Sequence, residues 1–96
     1  MLVAAPARVT PVTLFGKPGC HICADVRARL WPLAAVLNLE VEEVDILGDE
    51  ALFARYRDRV PVLAVAGREA FEGPWSPAAE RLLRRVARGR WRAGCR

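Results

Sequence analysis

The sequence predicts an α/β fold in which strands and helices alternate. A short apolar run at residues 12–15 is followed, from Cys23 to Leu37, by apolar positions three and four residues apart. Such a change of period is typical of a buried strand that leads into an amphipathic helix. A second apolar run at residues 62–66 is continuous, as in a central strand buried on both faces. The predicted order is strand, helix, strand, helix, strand, strand, helix.

The first half of the chain contains two predicted strands around a long helix. The first strand covers Val9–Phe15, and the helix runs from about Cys20 to about Leu37, with Asn38 as its end. Pro32 lies inside this helix and cannot donate a backbone hydrogen bond, so we expect a kink or break near Trp31. The second strand covers Glu40–Ile46.

The second half contains a short helix, a hairpin and a final helix. The short helix begins at Gly48-Asp49, with Asp49 as its N-cap. Residues 62–66 form the third strand, and Gly67-Arg68 turns it into the fourth strand, Glu69–Phe71. A capping hydroxyl followed by proline, Ser76-Pro77, starts the last helix. Its apolar side consists of Ala79, Leu82, Leu83, Val86 and Trp91.

The last twenty residues are strongly basic. The chain carries a formal net charge of +4, and residues 77–96 contain seven Arg and one Glu. Five of these arginines fall on one helical face, opposite the apolar side: Arg81, Arg84, Arg85, Arg88 and Arg92. We expect a solvated helix face, with a docking surface for an acidic protein or nucleic acid as the alternative. Nucleic acid is not an expected partner.

The stretch Gly16–Cys23 contains the candidate functional residues. It places Cys20 where the loop after the first strand opens the helix, and Cys23 about one turn further in. Unpaired backbone N–H groups and the helix dipole stabilise a thiolate there, so we expect the pKa of Cys20 to lie below the ~8.5 of a free cysteine. Lys17 adds a cation beside the sulfur, and His21 adds another below about pH 6.5.

Three other uses of a Cys-x-x-Cys pair fit this sequence less well. Zinc usually takes four ligands, and the remaining candidates, Cys95, His21 and carboxylates, contain no second close Cys/His pair. A c-type haem site needs His after the second cysteine, where this chain has Ala24. A purely structural disulfide would close too short a loop to constrain the unfolded chain much. A dithiol that opens and closes is the favoured interpretation, and no metal ligands are predicted.

Two motifs in this chain resemble the glutaredoxin-like branch of the thioredoxin-fold family. They are Leu14–Cys23, with its Gly-Lys-Pro-Gly-Cys-x-x-Cys, and Arg59–Leu63, with its Arg-Val-Pro-Val-Leu. The resemblance spans about residues 9–91. The length and composition predict one domain over residues 1–96. The resemblance implies that this domain is glutaredoxin-like, with its core at about residues 9–91 and a basic tail at 92–96. The resemblance also implies three layers, in which helices flank a four-stranded mixed sheet in the order β-α-β-α-β-β-α.

The resemblance also assigns roles to individual residues. It implies a thiol–disulfide oxidoreductase with Cys20 as nucleophile and Cys23 as the resolving thiol. It further implies that the Val60–Pro61 bond is cis and faces the cysteines, and that Val60 pairs with the main chain of the substrate. The expected substrate is a disulfide-containing protein or a small thiol compound, bound near Lys17, His21, Val60 and Pro61.

The chain departs from glutathione-using glutaredoxins at several positions. It has His21-Ile22 between the cysteines where Pro-Tyr is common, and Arg59 where Thr usually stands two residues before the proline. Trp75-Ser76-Pro77 instead resembles small redoxins that accept electrons from thioredoxin reductase. We therefore expect no tightly bound cofactor, and either glutathione or a thioredoxin-reductase-type enzyme as reductant.

The remaining expectations concern location, association and rival functions. The N-terminus lacks a signal-peptide pattern and no segment has transmembrane length, so we expect a cytoplasmic monomer with no membrane partner. Cys95 is expected to be a free terminal thiol, with a regulatory disulfide as the alternative. Two rival functions stay open: a redox-inactive binding module and a metal or iron–sulfur carrier.

Overall fold

The computed structural model describes residues 9–87, which form one four-stranded mixed sheet flanked by helices. The strands are β1 (Thr10–Gly16), β2 (Leu39–Asp45), β3 (Val62–Val65) and β4 (Arg68–Glu72). Their spatial order is β2-β1-β3-β4. Strand β1 pairs in parallel with β2 and antiparallel with β3, and β3 pairs antiparallel with β4. The predicted α/β fold and element order are confirmed.

Three α-helices cover the two faces of the sheet. They are α1 (His21–Leu37), α2 (Glu50–Tyr56) and α3 (Pro77–Ala87), with a short 3₁₀ turn at Ile46–Gly48 before α2. Helices α1 and α3 pack on one face through a large apolar cluster: Val12, Leu14, Val26, Leu30, Leu39, Leu63, Val65, Leu83 and Val86. Helix α2 packs on the other face through a smaller one: Ile46, Tyr56 and Val62. Apolar burial on both faces explains why β3 is a continuous apolar run.

The predicted helix boundaries are confirmed by their caps. Asn38 ends α1 in the left-handed conformation, with φ 62°. Asp49 caps α2 by accepting a hydrogen bond from the Leu52 amide at 2.9 Å. Ser76 caps α3 in the same way, because its hydroxyl accepts from the Ala79 amide at 3.2 Å. These side chains satisfy backbone donors that have no partner inside the helix.

Helix α1 does not break at Pro32, contrary to one of the two expected outcomes. The helix is continuous from His21 to Leu37. Leu30 is fully buried before the proline, and Leu33 and Leu37 pack against the same cluster after it. Because both halves are held against the sheet, the loss of one backbone hydrogen bond does not end the helix.

All strand ends except the start of β3 differ from their predicted positions by one residue, and two of the shifts have a clear physical cause. Ile46 belongs to the 3₁₀ turn after β2 and is fully buried there. The β3–β4 turn consists of Ala66 and Gly67, with φ 51° and 85°, so it lies one residue earlier than predicted. Two consecutive positive φ angles are typical of the two-residue turns that match strand twist. An apolar side chain at Ala66 made the strand look one residue longer than it is.

Several expectations concern parts of the chain outside the described residues. They are the expected apolar contact of Trp91, the state of Cys95, the positions of Arg88 and Arg92, and the tail at 92–96. Within residues 9–87, none of the helices has the length and apolar character needed to cross a membrane.

Candidate redox site

Cys20 caps the N-terminus of α1. It has an extended backbone conformation, with φ −92° and ψ 110°, and its Sγ accepts a hydrogen bond from the Cys23 amide at 3.1 Å. Sulfur here takes the place that a Ser or Asp oxygen occupies in common N-caps. The predicted placement of Cys20 at the helix start, with Cys23 one turn further in, is confirmed.

The two cysteines form a disulfide, and their Cα atoms are 5.2 Å apart. Cys20 is half-buried, whereas Cys23 is 3% exposed. A reagent from solvent therefore meets the sulfur of Cys20 first. Cys23 is largely shielded from solvent by the surrounding residues.

Gly16, the last residue of β1, lies close to the buried sulfur of Cys23. A Cβ atom built there would lie 3.3 Å from the Cys23 Sγ, closer than most Cβ contacts. The absence of a side chain lets the buried sulfur pack against the end of β1. Gly19 adopts φ 78°, a left-handed conformation that directs the chain into the helix.

Lys17 and His21 are both exposed beside the cysteines. Lys17 lines a cavity of about 380 Å³ that also touches Cys23. The cavity lies between α1 and the edge strand β2, and its other lining residues are Leu14, Gly16, Pro18, Arg27, Glu43, Val44 and Asp45. Arg27 and Glu43 form an ion pair that joins the helix to the strand. No sequence pattern indicated Glu43 and Asp45, because only the parallel pairing of β1 and β2 brings this strand beside Cys23. Arg27 was overlooked, although it lies one helical turn after Cys23.

Val60 and Pro61 lie at the same end of the sheet as the cysteines. Val62, the next residue, pairs with Phe15 at the end of β1. The Val60–Pro61 bond is cis, as the resemblance implied. Pro61 is buried and its carbonyl accepts from the Gly73 amide at 2.9 Å. The Val60 amide donates to the Tyr56 carbonyl at 3.2 Å, whereas no residue in 9–87 donates to the Val60 carbonyl.

A charged cluster next to this loop was also missed. Arg59 binds Glu69 and Glu72 on β4, and the Tyr56 hydroxyl donates to Glu69 at 3.0 Å. The Arg59 guanidinium and then the Tyr56 hydroxyl hold the pKa of Glu69 below its usual range. Burial, followed by the bond to Glu69, raises the pKa of Tyr56. At neutral pH the cluster therefore contains an ionised glutamate, a neutral tyrosine and a cationic arginine.

The structure offers no assembled metal site in the part of the chain it describes. Among residues 9–87, no group of three or more His, Cys, Asp or Glu side chains could hold a metal ion. Cys20 and Cys23 are bonded to each other, and His21 is exposed on the first turn of α1.

Comparison with known proteins agrees with the fold. The solution structure of protein Ne2328 from Nitrosomonas europaea matches with a TM-score of 0.69 and 27% identity, covering 83% of this chain and 96% of that one. The crystal structure of protein XcR50 from X. campestris matches with a TM-score of 0.60 and 33% identity, covering 81% and 96%. Uncharacterized protein Rv0508 of Mycobacterium tuberculosis is 32% identical over 82 residues, which is 80% of this chain and 82% of the relative.

The family assignment rests on most of the chain. The model of the glutaredoxin-like domain (DUF836) matches residues 11–88, which include both cysteines and the cis proline. These residues also form the four-stranded sheet and the three helices described above. The chain belongs to the glutaredoxin-like domain family and has the thioredoxin-type fold.

Proposed function

We propose that this protein is a thiol–disulfide oxidoreductase that works through Cys20 and Cys23. The observation that carries the proposal is the position of Cys20, a half-buried sulfur that caps a helix and is bonded to a buried partner. The helix N-terminus favours the thiolate over the thiol, and the thiolate is the species that attacks disulfides. The buried Cys23 supplies the second thiol of the exchange.

The reaction has two steps in which atoms and electrons balance. The Cys20 thiolate attacks one sulfur of the substrate disulfide, so a Cys20–substrate bond forms and the other substrate sulfur leaves as a thiolate. Cys23 then loses its proton to solvent and attacks the Cys20 sulfur, which releases the second substrate thiolate. Two electrons pass to the substrate, and the chain is left with the Cys20–Cys23 disulfide.

The loop at Val60–Pro61 is the proposed surface for the substrate main chain. The Val60 carbonyl accepts no hydrogen bond from residues 9–87 and can accept one from a substrate amide. Ile22, which is 43% exposed between the cysteines, offers an apolar contact beside the attacked bond. A protein disulfide satisfies both contacts, and we propose it as the substrate class, with a small thiol compound as the alternative.

Turnover needs a reductant that returns the disulfide to the dithiol. We propose either glutathione, whose carboxylate would pair with Lys17, or a thioredoxin-reductase-type enzyme. A reducing cytoplasm is the proposed location, because it keeps such a dithiol in its reduced, attacking form. A coupled assay that supplies NADPH with glutathione and glutathione reductase, or NADPH with thioredoxin reductase, separates the two reductants.

The function is tested by substituting each cysteine in turn. Cys20→Ser should abolish reduction of a disulfide-linked peptide, whereas Cys23→Ser should accumulate a mixed disulfide that mass spectrometry detects. Cys95→Ser is the matched control and should retain turnover. Full reductase activity in Cys20→Ser would reject the proposal. Absent turnover with slow alkylation would favour a binding module, and bound iron would favour a metal carrier.

A further inference from the structure

Arg59 directly precedes Val60–Pro61, the proposed substrate-facing loop. Its side chain is held by two carboxylates. Its Nε and Nη2 atoms donate to the Glu72 Oε1 at 3.1 and 2.9 Å, and Nη2 also donates to Glu69. Its guanidinium carbon lies 5.2 Å from the centre of the Tyr56 ring. We propose that Arg59 is a positioning residue that fixes Val60–Pro61 for pairing with the substrate, an inference that rests on the proposed function.

A bulge in β4 brings the two carboxylates together. In a regular strand Glu69 and Glu72, three residues apart, would point to opposite faces of the sheet. Here Ala64 pairs with Glu69 and Leu63 with Phe71, so Ala70 is an extra residue in β4. The extra residue puts Glu69 and Glu72 on the same face, where one guanidinium can reach both.

Backbone hydrogen bonds connect the Arg59 cluster to the loop. The Arg59 amide donates to the Tyr56 carbonyl at 2.8 Å, at the end of α2. Two residues later, the Pro61 carbonyl accepts from Gly73, which directly follows Glu72. The loop is therefore tied to α2 on one side and to the end of β4 on the other, and the Arg59 side chain bridges the same two elements.

The cluster also touches the strand that carries the cysteine loop. The Tyr56 ring stacks on Phe15, with centroids 4.6 Å apart and planes inclined at 25°. Phe15 immediately precedes Gly16, where the loop to Cys20 begins. This stacking joins the Arg59 cluster to the strand that leads to Cys20, so the cluster holds the substrate-facing loop beside the cysteine loop.

The partial exposure of the Arg59 cluster indicates whether it affects folding stability or the position of the loop. The side chains of Arg59 and Glu69 are 34% and 32% exposed. Exposed ion pairs contribute little to folding stability, usually less than about 1 kcal/mol. Charge-assisted contacts from one guanidinium to two carboxylates nevertheless fix the orientation of the groups they join. We expect Arg59 to govern loop position more than global stability.

The ion pairs of Arg59 distinguish it from a residue that contacts the substrate directly. Its guanidinium already forms ion pairs with Glu69 and Glu72, so it does not need an anionic group of the substrate as a partner. Loss of Arg59 should therefore weaken binding of neutral and anionic disulfide peptides alike. A direct contact would instead weaken only the anionic peptide.

The test compares Arg59→Ala and Glu72→Gln with Arg57→Ala, an exposed arginine two residues away that pairs only weakly with Asp58, at 3.9 Å. For disulfide-linked peptides, Arg59→Ala should raise KM about tenfold, the size expected for a lost charged hydrogen bond, with kcat nearly unchanged. Alkylation of reduced Cys20 by iodoacetamide should keep its wild-type rate. Arg59→Lys should recover part of the effect, since it keeps the charge but not the planar fork.

Hydrogen exchange gives a readout that does not need turnover. The Gly73 amide, which donates to Pro61, should exchange faster in Arg59→Ala and Glu72→Gln than in Arg57→Ala. Equal exchange and equal KM in all three variants would overturn the inference while leaving the proposed function intact. An effect confined to anionic peptides, or a parallel fall in Cys20 alkylation, would also overturn it. If Arg59→Ala fails to fold, Glu72→Gln carries the same comparison.

Discussion

The two sides of the redox site are held in different ways. On the cysteine side, Gly16–Cys23, the bonds are local: Cys20 contacts the Cys23 amide and sulfur three residues away. On the proline side, Arg59–Pro61, the side-chain bonds reach partners ten and thirteen residues away. The sulfur that we propose as the nucleophile is therefore positioned by local helix geometry, whereas the loop that we propose for substrate binding depends on tertiary contacts. The cysteine side and the proline side can therefore be tested separately.

The largest effect on stability is expected on the cysteine side, at Gly16. In Gly16→Ala the new Cβ would lie 3.3 Å from the Cys23 sulfur, so the sulfur or the strand end must move. Overpacking of this kind costs about 1–3 kcal/mol, measured as the free energy of unfolding in urea. Gly48→Ala is the matched control, since no atom lies within 4 Å of its new Cβ. Equal stability of the two variants would show that the close contact is not a constraint.

A smaller effect, dependent on pH, is expected on the proline side at Glu69. Its native pKa is lowered from 4.5, first by Arg59 and then by Tyr56. The unfolded chain therefore binds more protons than the folded one between the two pKa values, and stability falls as the pH falls through the native value. Wild type should be more stable than Glu69→Gln near neutral pH, and this advantage should shrink at an acid pH below 4.5, as the Glu69 carboxylate becomes protonated.

Urea unfolding at both pH values checks the Glu69 prediction. Glu42→Gln, on the exposed side of β2, is the control for the removal of a glutamate outside the Arg59 cluster. A difference between wild type and Glu69→Gln that stays constant from neutral to acid pH would contradict the assigned role of the Arg59 contact.

The cysteine side could be predicted from sequence because its determinants are close together in the chain. The change from strand to helix period and the position of Cys20 relative to it suffice to place a sulfur at a helix start. The capping residues Asn38, Asp49 and Ser76 were predictable for the same reason. The cis bond before Pro61 was predicted only through the family resemblance, since most X–Pro bonds are trans.

The proline side could not be predicted in the same way. The spacing of Glu69 and Glu72 indicates opposite faces of a strand, and only the bulge at Ala70 reverses this. No sequence pattern identified Ala70 as an extra residue. The ion pair between Arg27 and Glu43 likewise depends on which strand lies beside α1. Tertiary packing also overrode the local rule at Pro32, where α1 continues.

The most direct test of the account is the pH dependence of Cys20 alkylation. Reduced protein carrying Cys23→Ser and Cys95→Ser has Cys20 as its remaining thiol, and its rate with iodoacetamide follows the thiolate fraction. We predict a midpoint clearly below the ~8.5 of a free cysteine, and a higher midpoint when Lys17→Ala is added. A midpoint at or above 8.5, or a thiol that reacts only after unfolding, would contradict it.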